Sequence, residues 1–382
     1  MNTESRSSRK RPGRLHQLGS WVEGHPRFAR LLSFLKSHWL ESIALLSLLA
    51  LVLGVNPTKL FSAYGQLNPG LLVLMVPIVV LVYVARGVGW WIALRHLGVR
   101  ISLVRAVVIM IAGQTLIFMP TGDLARVVLV RRTGASSRDE GTIAGAITFQ
   151  ELLFLGVLGL GAVPRLLMHP EIAGLVALML LAYAGIMLIL LWEPAYRWAV
   201  GLVERVRLLK RFDRQLKSLR PAFVQMMRPW NLVGVLACNA VAASLMFLLF
   251  YLSVRAVAIQ HVDFVQTTFA YAVAHLLSGV SFLPGGVGSM EAIVTGLLAA
   301  DGAEVSRGAA AAILFRLFND VLMAVIGVFA GLALRRLASR RRPDDDDRGA
   351  VFDRQNLSGM VDRPAHRRGR QVDRSDGAPG RG

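Results

Sequence analysis

Long apolar segments dominate this sequence and limit what it can fold into. A helix needs about 20 residues to cross the hydrocarbon core of a bilayer, and six segments have that length or nearly so. They lie near residues 40–55, 70–94, 142–163, 172–192, 230–253 and 309–334. Hydrophobic residues make up 54% of the chain and charged residues only 18%. The sequence therefore predicts an all-α, polytopic membrane protein with about six full spans.

The distribution of basic residues predicts how these spans are oriented. Of the 43 Lys and Arg residues, 37 fall in five segments that a single set of crossings places on one side of the membrane. These segments are 1–39, 95–105, 121–141, 193–228 and 335–382. Because basic connections stay in the cytoplasm, we predict cytoplasmic N and C termini. The net charge of +19 then predicts anionic lipid headgroups as partners, and not nucleic acid.

The same orientation requires an incomplete crossing after the second full span. Val104 to Met119 is apolar, yet the basic segment 121–141 that follows it must lie in the cytoplasm. The chain can reverse between them, because Pro120 lacks the N–H of a continuing helix and Gly122 tolerates a tight turn. We therefore predict a re-entrant helix hairpin at this position.

The second half of the sequence repeats this order of segments. Residues 118–122 are echoed by residues 282–286, and a short helix is predicted after each break. The second hairpin enters from the opposite face, so the predicted repeats, about 70–192 and 229–335, are inverted. Inverted repeats with broken helices are typical of secondary transporters, whose substrate sites lie where the half-helices meet. A likeness through apolar composition alone remains the alternative.

Three segments flank or interrupt a predicted membrane domain of residues 40–335. Residues 1–39 are predicted to be a basic cytoplasmic arm, and residues 336–382 a disordered cytoplasmic tail, since they contain little apolar material. Residues 193–228 combine basic and apolar positions at helical spacing, which predicts an amphipathic helix on the inner leaflet or a linker helix. The single cysteine, Cys238, excludes an intramolecular disulfide and a CxxC motif, and we expect neither a metal site nor a cofactor.

The two chain breaks are the predicted substrate sites. Free N–H groups at a helix start carry partial positive charge and favour an anion such as phosphate. Ser289 is a candidate cap of the second returning helix. A simple hairpin turn is the alternative at each break. The candidate substrate-binding residues are Pro120, Gly122, Asp123, Arg126, Pro284, Gly285, Gly286, Gly288, Ser289, Glu291 and Arg316.

Charged side chains within apolar sequence are a second signal. Each costs at least about 2.5–3.5 kcal/mol at the bilayer centre, so such residues normally face a wet or paired interior. Arg316 and Asp320 are four residues apart and share a helical face. A buried structural ion pair is the alternative for every one of these residues. The candidates for ion pairing or proton coupling are Asp123, Glu151, Glu291, Asp320 and Arg86.

These motifs resemble those of a known family. Residues 282–291, followed by Arg316 in an Ala-rich helix, are similar to the second signature of the lysylphosphatidylglycerol synthase transmembrane-region family, which are flippase-like membrane proteins. Residues 120–126 resemble its first signature. The resemblance covers about residues 70–335. It implies binding roles for ten of the eleven candidate substrate-binding residues, that is, for all of them except Ser289. The chain departs from the family pattern in two places: at Asp123, where glutamate is commoner, and at Gln150-Glu151 with Phe154.

The resemblance implies the lipid-translocating part of such a protein. Full-length synthases add a soluble acyltransferase domain that uses aminoacyl-tRNA, whereas about 48 residues follow the last predicted span here. We therefore expect no enzymatic activity. We expect a flippase or transporter in the bacterial inner membrane that moves an anionic phospholipid or an isoprenoid-type lipid. A scaffold for a separate lipid-modifying enzyme and a lipid-headgroup transferase remain alternatives, and the oligomeric state stays open.

Overall fold

The structure, a computed structural model, describes most of the predicted membrane domain. The described residues are 57–116, 124–132, 140–166, 170–205, 213–280 and 286–339. Every regular element in these ranges is a helix, which confirms the predicted all-α class. The chain divides into a membrane unit ending at Leu334 and a unit from Arg335 onward, of which 335–339 are described. The predicted N-terminal arm, the span near 40–55 and nearly all of the tail lie outside the described residues.

The helices are numbered here in chain order. The first half contains α1 Pro57–Tyr64, α2 Pro69–His96, α3 Leu103–Gly113, α4 Leu124–Arg132, α5 Glu140–Leu160, α6 Val163–Leu166 and α7 Pro170–Leu191. The predicted amphipathic segment contains α8 Glu193–Arg205 and α9 Asp213–Met226. The second half contains α10 Pro229–Ala256, α11 Phe264–Val280, α12 Ser289–Ala300, α13 Val305–Arg316, a π-helix Leu317–Leu322 and α14 Met323–Ser339.

The same order of helices occurs in both halves. A 28-residue helix, α2 or α10, is followed by a pair of shorter helices and then by another long apolar helix. Both 28-residue helices begin with a proline, Pro69 or Pro229. Proline suits this position because the first N–H groups of a helix have no partner within the helix, so the missing N–H costs no hydrogen bond. The two helices pack against each other.

Four described helical segments are long and apolar enough to cross a membrane. They are Pro69–His96, Glu140–Leu166, Pro229–Ala256 and Val305–Leu334. At 1.5 Å per residue, a helix of 28 residues is about 42 Å long and exceeds the hydrocarbon core of about 30 Å. The bent pair Leu180–Leu191 and Glu193–Leu202 adds a fifth crossing if it forms one span. The described residues thus give a multi-pass membrane protein with four or five of the six predicted spans.

The predicted amphipathic segment differs from a single helix on the membrane surface. Its described residues form α8 and α9, on either side of residues 206–212, which lie outside the described part. α8 turns away from α7 by 99° and exposes Trp198 and Leu202, as an interfacial helix would. α9 instead packs on α5, where Phe223 meets Phe149 with ring centroids 5.2 Å apart. Protein therefore covers Ala222, Phe223 and Met226 of α9.

Two glycines let α3 approach its neighbours closely. A Cβ atom on Gly87 of α2 would lie 2.9 Å from Val107 Cα, and one on Gly327 of α14 would lie 2.6 Å from the Ile111 carbonyl oxygen. Small residues at helix contacts are a general device of membrane bundles, because they bring backbones together. These contacts fix α3, which carries the first hairpin, against α2 and α14.

We expect Gly327→Ala to destabilise the protein by about 1–3 kcal/mol, since the added methyl group must push α3 and α14 apart. The melting temperature of the detergent-solubilised protein measures this. Gly185→Ala on α7 is the matched control, because a Cβ there would meet no atom within 4 Å. Equal melting temperatures for the two variants would show that α3 is not held in this way.

Candidate functional site

A cavity of about 330 Å³, the central cavity, lies among helices of both halves. Its volume falls in the range of ligand-binding pockets, about 300–1,000 Å³. Six of the seven charged residues that the sequence singles out contribute to its wall: Arg86, Arg126, Glu151, Glu291, Arg316 and Asp320. The seventh, Asp123, lies outside the described residues, as do Pro120, Gly122, Pro284 and Gly285. Residues far apart in sequence are thus brought to one site.

Two arginines converge on one carboxylate in the first half. Arg86 of α2 donates hydrogen bonds through Nη2 to both carboxylate oxygens of Glu151 on α5. Arg126 of α4 donates through Nη1 to Glu151 Oε1 at 3.1 Å. Arg126 is only 2% exposed, and Gly113 makes room for it, because a Cβ there would lie 3.0 Å from Arg126 Cγ. Arg86, Arg126 and Glu151 are called the Glu151 cluster below.

Two carboxylates converge on one arginine in the second half. Arg316 pairs through Nε with Glu291 Oε1 and donates through Nη1 to Asp320 Oδ2 at 2.9 Å. Arg316 and Asp320, whose spacing of four residues places them on one helical face, are thus paired in the structure. Asp320 lies in the π-helix, a distortion that is frequent at functional sites. Glu291, Arg316 and Asp320 are called the Arg316 cluster below.

The two clusters occupy equivalent positions with the charges exchanged. Arg126 and Glu291 are each the third residue of the returning helix, α4 or α12. Glu151 and Arg316 are each the twelfth residue of the next helix, α5 or α13, and both offsets are 165 residues. An arginine–glutamate pair in the first half thus corresponds to a glutamate–arginine pair in the second. The constant offset of 165 residues carries this exchange of charge in the sequence. An alignment of the two halves at their proline and glycine breaks does not reveal it.

Aromatic and amide side chains connect the two clusters. The Tyr83 hydroxyl donates to Asn319 Oδ1 at 3.2 Å, and Asn319 Nδ2 donates to Asp320 Oδ1 at 2.6 Å. The guanidinium of Arg86 lies 6.0 Å from the centre of the Tyr83 ring and 4.6 Å from that of Phe154, within cation–π range for both. Sequence analysis missed Tyr83 and Asn319, because neither is unusual in an apolar helix until its neighbours are known.

The start of α12 differs from the prediction that Ser289 caps it. Gly288 is the cap, with φ of +85°, and its N–H donates to Glu291 Oε2 at 2.8 Å. Ser289 is the first helical residue, and its hydroxyl donates to the Gly286 carbonyl oxygen at 3.0 Å. Glycine is needed at 286, where φ is +61° and a Cβ would lie 2.9 Å from Ser278 Cβ.

This geometry changes where an anion is expected to bind. The Glu291 carboxylate already engages the first free N–H of α12, so its negative charge disfavours a phosphate at this helix start. Of the predicted residues at this break that are described, Gly286 and Glu291 face the central cavity, whereas Gly288 and Ser289 are not part of its wall. Arg86 and Arg126 therefore provide the better-placed cationic surface.

A second, mainly apolar cavity of about 390 Å³, the lateral cavity, adjoins the first. It shares Glu151, Phe154 and His275 with the central cavity. Its other lining residues lie on one face of α5, at the spacing of successive helical turns. They are Ala144, Ile147, Thr148, Leu152 and Leu155. The central cavity thus shares part of its wall with an apolar cavity along a membrane-spanning helix.

No group of three His, Cys, Asp or Glu side chains in the described ranges is arranged to hold a metal ion. In the central cavity, the three described carboxylates are instead each paired with arginine. Arginine–carboxylate pairs of this kind are strong, charge-assisted hydrogen bonds.

The apolar helices and the charged cavity among them define a polytopic helical membrane protein with an internal polar site. The family model described as the lysylphosphatidylglycerol synthase TM region matches residues 38–327, well over half of the chain. The chain belongs to this family, as the motifs at the two breaks predicted. Comparison with curated proteins gives no match.

Proposed function

We propose that this protein moves a lipid with a phosphate-bearing headgroup, an anionic phospholipid or an isoprenoid-type lipid, between the leaflets of the bacterial inner membrane. The observation that carries the proposal is the central cavity, which collects six charged side chains among membrane-spanning helices. Each such charge is costly in a bilayer, so a set of six facing one cavity indicates a polar passenger. Guanidinium groups match phosphate oxygens with paired N–H donors.

The two adjoining cavities support a lipid as the passenger. The central cavity offers charged groups to a headgroup, and the lateral cavity offers an apolar groove to an attached chain. A headgroup can then cross within the protein while its hydrocarbon tail stays in an apolar environment. In this mechanism the central cavity is exposed alternately to the two sides, and Arg126 and Arg316 guide the headgroup. Asp123 or Glu291 couples the movement to protons.

We further propose that the two halves are inverted repeats, each with a re-entrant hairpin, and that both termini are cytoplasmic. The equivalent positions of the two charged clusters support this. So do the contacts near the predicted outer face, where Lys59 pairs with Glu304 at 3.3 Å and Arg165 pairs with Asp301. These lysine and arginine residues are among the few that the basic-segment pattern assigns to the outside.

Contacts at the other end of the bundle are consistent with the same orientation. Gln225 of α9 donates through Nε2 to the His96 carbonyl oxygen at the end of α2, at 3.2 Å. Both residues belong to segments predicted to be cytoplasmic. This contact joins two of the five segments that are predicted to be cytoplasmic.

The proposal predicts lipid movement by the purified full chain in liposomes. Acyl-labelled phosphatidylglycerol should become accessible to a membrane-impermeant quencher much faster with the protein than without it. Arg316→Ala should abolish the acceleration, because Glu291 and Asp320 then face the cavity without their shared cation. Arg197→Ala, at an exposed position on α8, is the matched control and should keep the wild-type rate.

Gel filtration and the melting temperature test whether the Arg316→Ala protein is folded. If that variant does not fold, Arg316→Lys replaces it in the experiment, because lysine retains the positive charge. A folded Arg316→Ala variant with the wild-type rate would remove Arg316 from the mechanism. No acceleration by the wild-type protein would contradict the proposed function and favour a scaffold for a separate lipid-modifying enzyme.

A further inference from the structure

The two clusters present opposite charge to one cavity. The Glu151 cluster contains two guanidinium groups and one carboxylate, whereas the Arg316 cluster contains one guanidinium group and two carboxylates. We propose that the headgroup bound in the central cavity is zwitterionic and carries both a phosphate and a primary ammonium group, as in a phosphoethanolamine lipid. This inference rests on the proposed function and keeps its phosphate-bearing headgroup, but it replaces the anionic or isoprenoid-type lipid by a zwitterionic one.

The Glu151 cluster is the phosphate side of the site. Arg86 comes from α2 and Arg126 from α4, and both reach the same carboxylate from different helices. Their planar guanidinium groups line the cavity, and arginine is the residue best suited to bind phosphate oxygens in pairs. A phosphate bound here shares the two arginines with Glu151.

The Arg316 cluster is the ammonium side. Glu291 and Asp320 are 1% and 8% exposed, and both face the central cavity beside their shared arginine. A primary ammonium group has three N–H donors, which fit carboxylate oxygens and the Asn319 side chain next to Asp320. The ammonium group is then a second cation for these carboxylates, beside Arg316. Its N–H groups replace the water that a buried carboxylate would otherwise need as a hydrogen-bond partner.

The arrangement also disfavours headgroups of a single sign relative to a zwitterionic headgroup. A headgroup with phosphate alone gives Glu291 and Asp320 no cation besides Arg316 and brings an anion into their cavity. A headgroup with ammonium alone meets the paired arginines. Specificity of this kind depends on repulsion of the wrong ligand as much as on attraction of the right one. The charge exchange between equivalent positions therefore builds a site for a dipole, with its positive end toward the second half.

The test compares three labelled lipids with identical chains, phosphatidylethanolamine, phosphatidylglycerol and phosphatidylcholine, in liposomes that contain the full chain. We expect phosphatidylethanolamine to move roughly tenfold faster than either of the others, since a charge-assisted hydrogen bond of typical strength changes an equilibrium by at least this factor. Phosphatidylcholine has the same charges but no N–H donor. Equal rates, or faster movement of phosphatidylglycerol, would overturn the inference.

A binding measurement separates this inference from the proposed function. Short-chain forms of the same lipids should raise the melting temperature of the detergent-solubilised protein, and the phosphoethanolamine form should do so at the lowest concentration. This preference without lipid movement would contradict the proposed function alone. Movement of all three lipids at one rate, with equal shifts in melting temperature, would contradict the inference alone.

Substitution of one acid should erase the preference. In Asp320→Asn, the ethanolamine and glycerol lipids should move at about equal rates, while Glu304→Gln should keep the wild-type ratio. Glu304 is an exposed acid that pairs with Lys59 away from the cavity, so it controls for loss of a carboxylate. Glu291→Gln is the second variant, because its amide oxygen can still accept from the Gly288 N–H. A preference that survives both substitutions in folded protein would overturn the assignment.

Discussion

Replacing Glu151 by alanine should destabilise the protein more than any other single change at the cavity, by about 3–5 kcal/mol. Glu151 holds two arginines, Arg86 and Arg126, that are both more than nine-tenths buried. Removing the carboxylate leaves their charges close together inside the membrane unit without the anion they share. The melting temperature in detergent and the yield of monodisperse protein measure the loss.

Glu193→Ala is the control for this experiment. Glu193 also contacts two arginines, Arg197 at 3.4 Å and Arg220 at 3.8 Å, but its side chain is about half exposed. Ion pairs that water can reach contribute at most about 1 kcal/mol. A loss of stability in Glu151→Ala no larger than in Glu193→Ala would mean that the Glu151 cluster does not hold the two arginines as described.

Replacing the whole Glu151 cluster should leave the stability nearly unchanged and should have the largest effect on transport. In the triple variant Arg86→Met, Arg126→Met and Glu151→Leu, the three charges of the cluster are removed together, and apolar replacements of buried ion pairs are often neutral or stabilising by about 1–4 kcal/mol. We therefore expect a melting temperature close to that of the wild type. Lipid movement in liposomes should fall to the protein-free rate, because the phosphate loses both guanidinium groups.

The corresponding control removes an ion pair from the predicted outer face. Arg165→Met with Asp301→Leu deletes a pair that is also largely buried but lies away from the central cavity. This variant should keep both its stability and its transport rate. Wild-type transport by the triple variant would show that the Glu151 cluster has only a structural role, which is the alternative that the sequence left open.

Much of the fold was predictable because its signal is local. An apolar run of about 20 residues can satisfy its backbone in a bilayer only as a helix, so α2, α5 and α10 could be located from hydropathy alone. The chain positions of the two helix pairs followed from proline and glycine, whose backbone limits are properties of single residues. The packing of α9 on α5 was not predictable, since an amphipathic face does not reveal whether lipid or protein covers it.

The candidate site was predictable as a set of residues but not as an arrangement. Charge in apolar sequence identified Arg86, Glu151 and Asp320, because burying an ionisable group is costly wherever it occurs. Which acid each arginine meets depends on contacts between helices distant in sequence, so the pairing of Arg86 with Glu151 had no local signal. The cap at Gly288 was missed for a related reason: its left-handed backbone follows from the path of the chain, and serine is the commoner cap.

Labelling of single cysteines from either side of the membrane tests most directly whether the two hairpins enter from opposite faces. In a Cys238→Ser background, Arg131→Cys lies near the end of α4 and Ala300→Cys at the end of α12, and both positions are exposed. An impermeant thiol reagent should label position 300 in intact spheroplasts and position 131 only in inverted vesicles. Labelling of both positions from the same face would contradict the inverted arrangement and the route for lipid that depends on it.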